Sequence, residues 1–151
     1  MLNLNLPSYN YFIKKERETL YIQDILKGHF LSLSPEEWVR QHMVNYLLNY
    51  KNVPKTMMSI ESSLKYGKLG KRTDIIVYGK TLQPLLIIEC KASHIRLSEK
   101  VLLQIAVYNS VLKAPYVGVT NGLNHLYWHY KGQGEALLLD ELPDYSSLLP
   151  A

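Results

Sequence analysis

The feature that most constrains this fold is the apolar segment Leu85–Ile88 near the middle of the chain, which runs directly into Glu89, Cys90 and Lys91. Four consecutive apolar residues bounded in this way predict a buried strand. A charged side chain is costly to bury unless it is paired, hydrogen-bonded or bound to a metal. The end of this strand is therefore the first place where the sequence indicates a functional site.

Two amphipathic helices are predicted on either side of that strand. The first lies in "SPEEWVRQHMVNYLLNYKN", where Ser34 is the expected N-cap and Pro35 the first helical residue. Its apolar side chains recur at helical spacing: Val39, Met43, Tyr46, Leu47 and Tyr50. The second lies in "RLSEKVLLQIAVYNSVLK", with Ser98 as the expected N-cap and with this apolar face: Val101, Ile105, Tyr108 and Leu112.

The remaining segments predict strands. Residues 11–15 and 19–23 form an expected hairpin, and residues 30–33 a third extended piece. Three further strands, "MSIESSL", "TDIIVYG" and "LLIIECKA", separate the helices, and "YVGVTNG", "NHLYWHYKG" and the start of "EALLLDELPDYSSLLPA" follow them. This order predicts one α/β domain over 1–151, with a β-rich extension at 1–33 and a core at 34–145. In the core, helices flank a central mixed β-sheet.

Composition excludes several classes of protein. A single cysteine excludes a disulfide framework and a multi-cysteine zinc site, and is typical of a reducing, cytosolic setting. The chain has no recognisable signal peptide and no run of about 18 apolar residues, so a cytoplasmic protein without a membrane partner is expected. A formal net charge of +4 is compatible with nucleic-acid binding but does not require it.

A cluster of charged residues is expected at the end of the buried strand. Strand alternation places Glu89 and Lys91 on one face and Cys90 on the other, in the core. Asp74, at the start of the neighbouring strand, would reach the same end of the sheet through a hairpin. Carboxylate oxygens suit Mg²⁺, and the backbone carbonyl of Cys90 could add a ligand. A plain ion pair between Glu89 and Lys91 is the alternative.

The basic, glycine-containing segment "KYGKLGKR" superficially resembles a phosphate-binding loop. Gly67 and Gly70 are separated by two residues rather than the four of a P-loop, which excludes that nucleotide site. Two interpretations stay open, a contact with nucleic-acid phosphates and a solvated turn. The residues concerned are Lys65, Lys68, Lys71 and Arg72.

The spacing of Asp74, Glu89 and Lys91 resembles the signature of the PD-(D/E)xK nuclease superfamily, with Thr73 where a proline usually stands. A wider set of segments is similar to the N-terminal nuclease domain of type I restriction enzyme R subunits, in particular its small single-domain relatives: "LSPEEWVRQHMVNYLL", "KRTDIIVYG", "PLLIIECKA", "QIAVYN", "PYVGVTNG" and "ELPDY". The similarity runs from about Tyr11 to Tyr145. It implies a restriction-endonuclease-like core.

The resemblance also implies roles for individual residues. Asp74 and Glu89 would be ligands of Mg²⁺, with Mn²⁺ as a substitute, and Lys91 the catalytic lysine. Glu37 matches an extra helical acid of the superfamily, although it also stands where a capping box with Ser34 would place it.

A second motif on the second helix adds two further residues. Gln104 and Tyr108 are similar to a Q-x3-Y motif of RecB-type nucleases, in which they would position the site or the DNA backbone. Tyr108 has core packing as its alternative, since it belongs to the apolar face of that helix.

Two functions follow as hypotheses. The first is an endonuclease that hydrolyses DNA phosphodiesters with a metal-activated water. The second is a nuclease-fold module that binds nucleic acid or a partner protein without cutting it. The chain has no Walker A sequence, so separate specificity or motor subunits are expected partners. The sequence leaves open the target, the choice between DNA and RNA, and whether two copies pair.

Overall fold

The computed structural model of the protein describes residues 1–62 and 73–151. The N-terminal part contains a three-stranded antiparallel sheet of β1 (Ile13–Glu16), β2 (Thr19–Gln23) and β3 (Phe30–Ser32), arranged in chain order. The predicted hairpin and third extended piece are both present, with ends shifted by one or two residues.

The larger sheet has six strands that are neighbours in chain order: β4 (Met58–Ser62), β5 (Thr73–Tyr78), β6 (Pro84–Cys90), β7 (Tyr116–Thr120), β8 (His125–Gly132) and β9 (Glu135–Leu139). β5 and β6 form the predicted antiparallel pair. β6 and β7 are parallel, and the other neighbours are antiparallel. Parallel neighbours need a long crossover, here the segment that carries the second predicted helix.

The helices are α1 (Pro35–Tyr50), α2 (Glu99–Leu112) and the short α3 (Tyr145–Leu148), which was not predicted. At the start of α1 the hydroxyl of Ser34 accepts the predicted capping hydrogen bond. Ser98 occupies the N-cap position of α2, but within the described residues its side chain makes no capping bond. No helix in the described parts of the chain is both long and apolar enough to cross a membrane.

The large sheet is covered by apolar side chains on both faces. One cluster lies on the α1 side and includes Val39, Met43, Leu47, Ile75, Ile88 and Cys90. The other lies on the α2 side and includes Ile76, Ile87, Val101, Ile105, Val117 and Val119. Residues 75–77 of β5 and 86–88 of β6 alternate between the two clusters, so both faces of β6 are apolar there.

The apolar stripe predicted for α1 is shorter than expected. Val39, Met43 and Leu47 are fully buried, whereas Tyr46 is half-buried and Tyr50 is 53% exposed. The prediction for Tyr50 was wrong because the last turn of α1 extends beyond the core cluster.

Candidate functional site

Two buried carboxylates meet where β5 begins and β6 ends. Ile75 pairs with Ile88 in antiparallel register, and continuing this register by one residue places Asp74 opposite Glu89. Directly opposite residues project from the same face, with Cβ atoms roughly 4.5–5.5 Å apart. Asp74 is 8% exposed and Glu89 only 4%. The hairpin therefore brings together the two carboxylates that the sequence singled out.

Glu89 is held by the lysine two residues further on. Lys91 Nζ donates a hydrogen bond of 2.7 Å to Glu89 Oε1. Glu89 Oε2 is buried and has no hydrogen-bond partner among the residues that the structure describes. Burial, and then the charge of Asp74, raise the pKa of Glu89 to about 7 against the opposing effect of Lys91. Oε2 of Glu89 can thus coordinate a cation.

Both oxygens of Asp74 accept hydrogen bonds. Arg40 Nη2 donates to Oδ1 and the backbone N–H of Cys90 donates to Oδ2, each over 2.7 Å. Cys90 was expected to offer its carbonyl to a metal; the structure adds that its N–H holds Asp74. The thiol of Cys90 is buried in the α1-side cluster, and burial raises its pKa well above the usual value. The expected packing role of this cysteine is confirmed.

Arg40 is a site residue that the sequence analysis did not identify. Its side chain is 7% exposed, and its guanidinium forms ion pairs with Glu37, Asp74 and, at 3.3 Å, Glu36. Burial alone would lower the pKa of Arg40, but the charges of Asp74 and Glu37 outweigh it and raise the pKa. The one available signal was its spacing of three and four residues from two glutamates on a predicted helix.

The two glutamates in the first turn of α1 have different surroundings. The backbone N–H of Glu37 makes the cap with Ser34, while its carboxylate contacts Arg40 and accepts a 2.9 Å hydrogen bond from Gln41. Arg40 thus contacts both Glu37 and Asp74 and connects the two carboxylates.

The neighbouring Glu36 is a second helical acid whose charge acts on the site. Burial, and then the charge of Asp74, raise the pKa of Glu36, and Glu36 in turn raises the pKa of Glu89. Lys91 acts on Glu36 in the opposite direction. Glu37, named from the sequence as the helical acid of the site, stays a prediction, and Glu36 was not predicted.

The remaining predicted residues are Gln104 on α2 and several residues that lie outside the described part of the chain. Gln104 is half-buried on α2, between the buried Val101 and Ile105. The side chain of Tyr108 is outside what the structure describes, and so is the basic loop with Lys65, Lys68, Lys71 and Arg72. Their proposed contacts with DNA stay predictions.

The site has the charge and the donor atoms for a hard divalent cation. Four carboxylates face two cations, Arg40 and Lys91, which leaves a formal charge of −2. Mg²⁺ prefers such oxygen ligands and completes its octahedron with water. Across residues 1–62 and 73–151, however, no three acidic, histidine or cysteine side chains converge as a ready-made ligand cluster. Asp74 and the unpartnered oxygen of Glu89 are thus the donors that fit.

Comparison with known proteins gives one family and one solved structure. A sequence model described as "Type I restriction enzyme R protein N terminus" matches residues 35–143. A fragment from Vibrio vulnificus YJ016, assigned as an HsdR subunit of a type I restriction enzyme, shares the fold with a TM-score of 0.57 at 19% identity. The similarity covers 77% of this chain and 24% of that one, so this chain spans about a quarter of its length. No curated protein matches.

Proposed function

This chain belongs to the family of type I restriction enzyme R protein N termini, and from that premise we propose that it is a metal-dependent endonuclease domain that hydrolyses DNA phosphodiester bonds. The observation that carries the proposal is the pair of buried carboxylates, Asp74 and Glu89, with Lys91 bonded to Glu89 at the same strand end. Catalytic groups with perturbed pKa values cluster in this way at functional sites. The family assignment supports nuclease-related chemistry there.

The metal proposed for this site is Mg²⁺, or Mn²⁺ in its place, held by Asp74, Glu89 and the carbonyl of Cys90. When bound, such an ion supplies polarisation of the phosphodiester and a water of lowered pKa. The unpartnered Oε2 of Glu89 supports this assignment, since a buried acceptor without a partner costs about 1–3 kcal/mol.

Lys91 supplies the positive charge on the substrate side. Burial lowers the pKa of Lys91, but the hydrogen bond and charge of Glu89 outweigh it, so its pKa is raised. Lys91 therefore enters the reaction protonated, and we propose that it offsets the negative charge that develops on the phosphoryl oxygens. Glu89 fixes its direction through the 2.7 Å bond.

Further proposals concern the substrate and the partners. Gln104 and Tyr108 would position the site or the DNA backbone, and Lys68, Lys71 and Arg72 would contact phosphates. The part that matches this chain makes up only 24% of the solved relative, which is described as a subunit. We therefore propose that target recognition and any translocation come from other domains or subunits.

The proposal is tested by nicking of supercoiled plasmid in Mg²⁺ or Mn²⁺. Lys91→Ala is expected to lower the cleavage rate by roughly 100-fold or more, because losing one group that stabilises transition-state charge typically has an effect of this size. Lys80→Ala is the matched control, because it removes an exposed lysine from the turn at the other end of the β5–β6 hairpin. No nicking by the wild type in either metal, or equal rates for Lys91→Ala and wild type, would refute the proposal.

The second candidate is a nuclease-fold module that binds nucleic acid or a partner without cutting. The observation that favours it is the state of Asp74, whose two oxygens already accept bonds from Arg40 and from the Cys90 N–H. Such a carboxylate has fewer lone pairs left for a metal. Salt-dependent DNA binding by a wild type that never cleaves would select this function.

A further inference from the structure

A buried guanidinium occupies the oxygen of Asp74 that faces α1. Arg40 Nη2 lies 2.7 Å from Asp74 Oδ1, and the same side chain contacts Glu36 and Glu37. A guanidinium has a fixed fork of donors and stays charged, so it can serve several carboxylates at once. Arg40 is thus the cation that joins the helix acids of α1 to the carboxylate pair of the sheet.

A divalent ion at Asp74 would meet this cation at close range. Charges of the same sign within 4–6 Å act strongly on each other in a buried site. Glu36 and Glu37 give Arg40 two further partners on its own helix, at positions i−4 and i−3. The guanidinium can therefore leave Asp74 without losing all of its ion pairs.

We propose that Arg40 is a positioning residue that acts as a built-in counter-ion of Asp74, competes with the divalent ion for it, and thereby sets the metal affinity of the site. The inference rests on the proposed function, because it takes Asp74 to be a metal ligand. Before the metal binds, Arg40 partly offsets the charge of Asp74 and lessens its repulsion of Glu89. Metal binding shifts Arg40 towards Glu36 and Glu37.

The alternative role for Arg40 predicts the opposite change in metal affinity when Arg40 is removed. If Arg40 only held Asp74 in place for the metal, removing it would weaken metal binding. If Arg40 competes, removing it strengthens binding. A neighbouring cation changes the proton affinity of a carboxylate by roughly 10- to 1,000-fold, so the effect on a metal at the same oxygen is expected to be at least about tenfold.

The experiment is calorimetric titration of the full chain with Mn²⁺ alone, without DNA. Arg40→Gln is expected to bind Mn²⁺ at least about tenfold more tightly than wild type. Arg40→Lys keeps the charge but cannot bridge three carboxylates, and its affinity is expected to lie between the two. Arg17→Gln, which removes an exposed arginine from the β1–β2 turn, is expected to match wild type. Unchanged or weaker binding in both Arg40 variants would overturn the inference.

Folding is monitored alongside by circular dichroism. If Arg40→Gln folds only with Mn²⁺, the metal dependence of its helical signal supports competition, and failure of Mn²⁺ to restore it contradicts competition. Glu89→Gln distinguishes failure of the proposed function from failure of the role proposed for Arg40. If wild type shows no Mn²⁺ binding that Glu89→Gln weakens, the proposed function fails. If wild type binds through Glu89 but the Arg40 variants bind no more tightly, only the role of Arg40 fails.

Discussion

At the scale of single residues, Glu89 makes the stability of the chain depend on pH. Its pKa is about 7 in the fold against an ordinary 4.5, because it is buried and lies beside Asp74. Between these two pH values the folded chain keeps a proton that the unfolded chain has released. The contribution of Glu89 to the free energy of unfolding therefore falls as pH rises from 4.5 to 7.

Replacing Glu89 with glutamine removes this titration. The free energy of unfolding of Glu89→Gln minus that of wild type is expected to increase between about pH 5 and pH 8 by on the order of 1–3 kcal/mol. Urea unfolding in the presence of a chelator measures it. Glu135→Gln, which changes an exposed glutamate on β9, is the matched control. A flat or falling difference for Glu89→Gln would contradict the pKa assignment.

The sequence was sufficient to identify the charged residues of the hairpin, but not Arg40 and Glu36, which lie on α1. Asp74, Glu89 and Lys91 follow from strand alternation and one antiparallel pairing, both of which are local rules. Arg40 and Glu36 depend on how α1 is rotated against the end of β5. That rotation is set by tertiary packing, which periodicity within the helix does not reveal.

At the scale of secondary-structure elements, the parallel pairing of β6 and β7 depends on a close approach at Gly118. Gly118 pairs with Ile88, and a Cβ at this position would lie 2.9 Å from a ring carbon of Tyr127 and 3.2 Å from Ile88 Cγ1. Gly118→Ala is expected to destabilise the fold by about 1–3 kcal/mol through overpacking. Gly79→Ala is the matched control, since its Cβ would meet nothing closer than 3.9 Å. Equal unfolding midpoints for the two variants would show that the sheet absorbs the extra methyl group.

The elements themselves were largely predictable because most carry a strong local period. β5 and β6 are bounded by turn residues, and α1 has a Ser-Pro start with an apolar stripe. The wrong prediction for Tyr50 and the failure to predict α3 have a common physical cause. Tyr50 has the right spacing but lies beyond the core cluster, and α3 is only four residues long, too short for a periodic signal. Both are decided by contacts between distant segments.

At the scale of the whole molecule, charge is divided unevenly between the site and the rest of the chain. The total is +4, whereas the six charged residues of the site, four acidic and two basic, contribute −2. The rest of the chain therefore carries +6. A polyanion would be attracted by that remainder, and in the proposed function a divalent ion would offset the negative charge of the site towards a phosphate.

The basic residues Lys68, Lys71 and Arg72 directly precede in sequence β5, the strand that carries Asp74, and we propose that they contact DNA phosphates. Changing all three to glutamine lowers the net charge from +4 to +1. If each contacts a phosphate, the slope of log binding constant against log salt should become less negative by up to about 2.7, at roughly 0.9 per contact. Anisotropy of a labelled duplex in a chelator measures this without cleavage. The control is a triple change to glutamine of the exposed Lys27, Lys113 and Lys131, which lowers the net charge by the same amount. If the salt dependence of binding changes equally in both triple variants, binding depends on overall charge rather than on Lys68, Lys71 and Arg72.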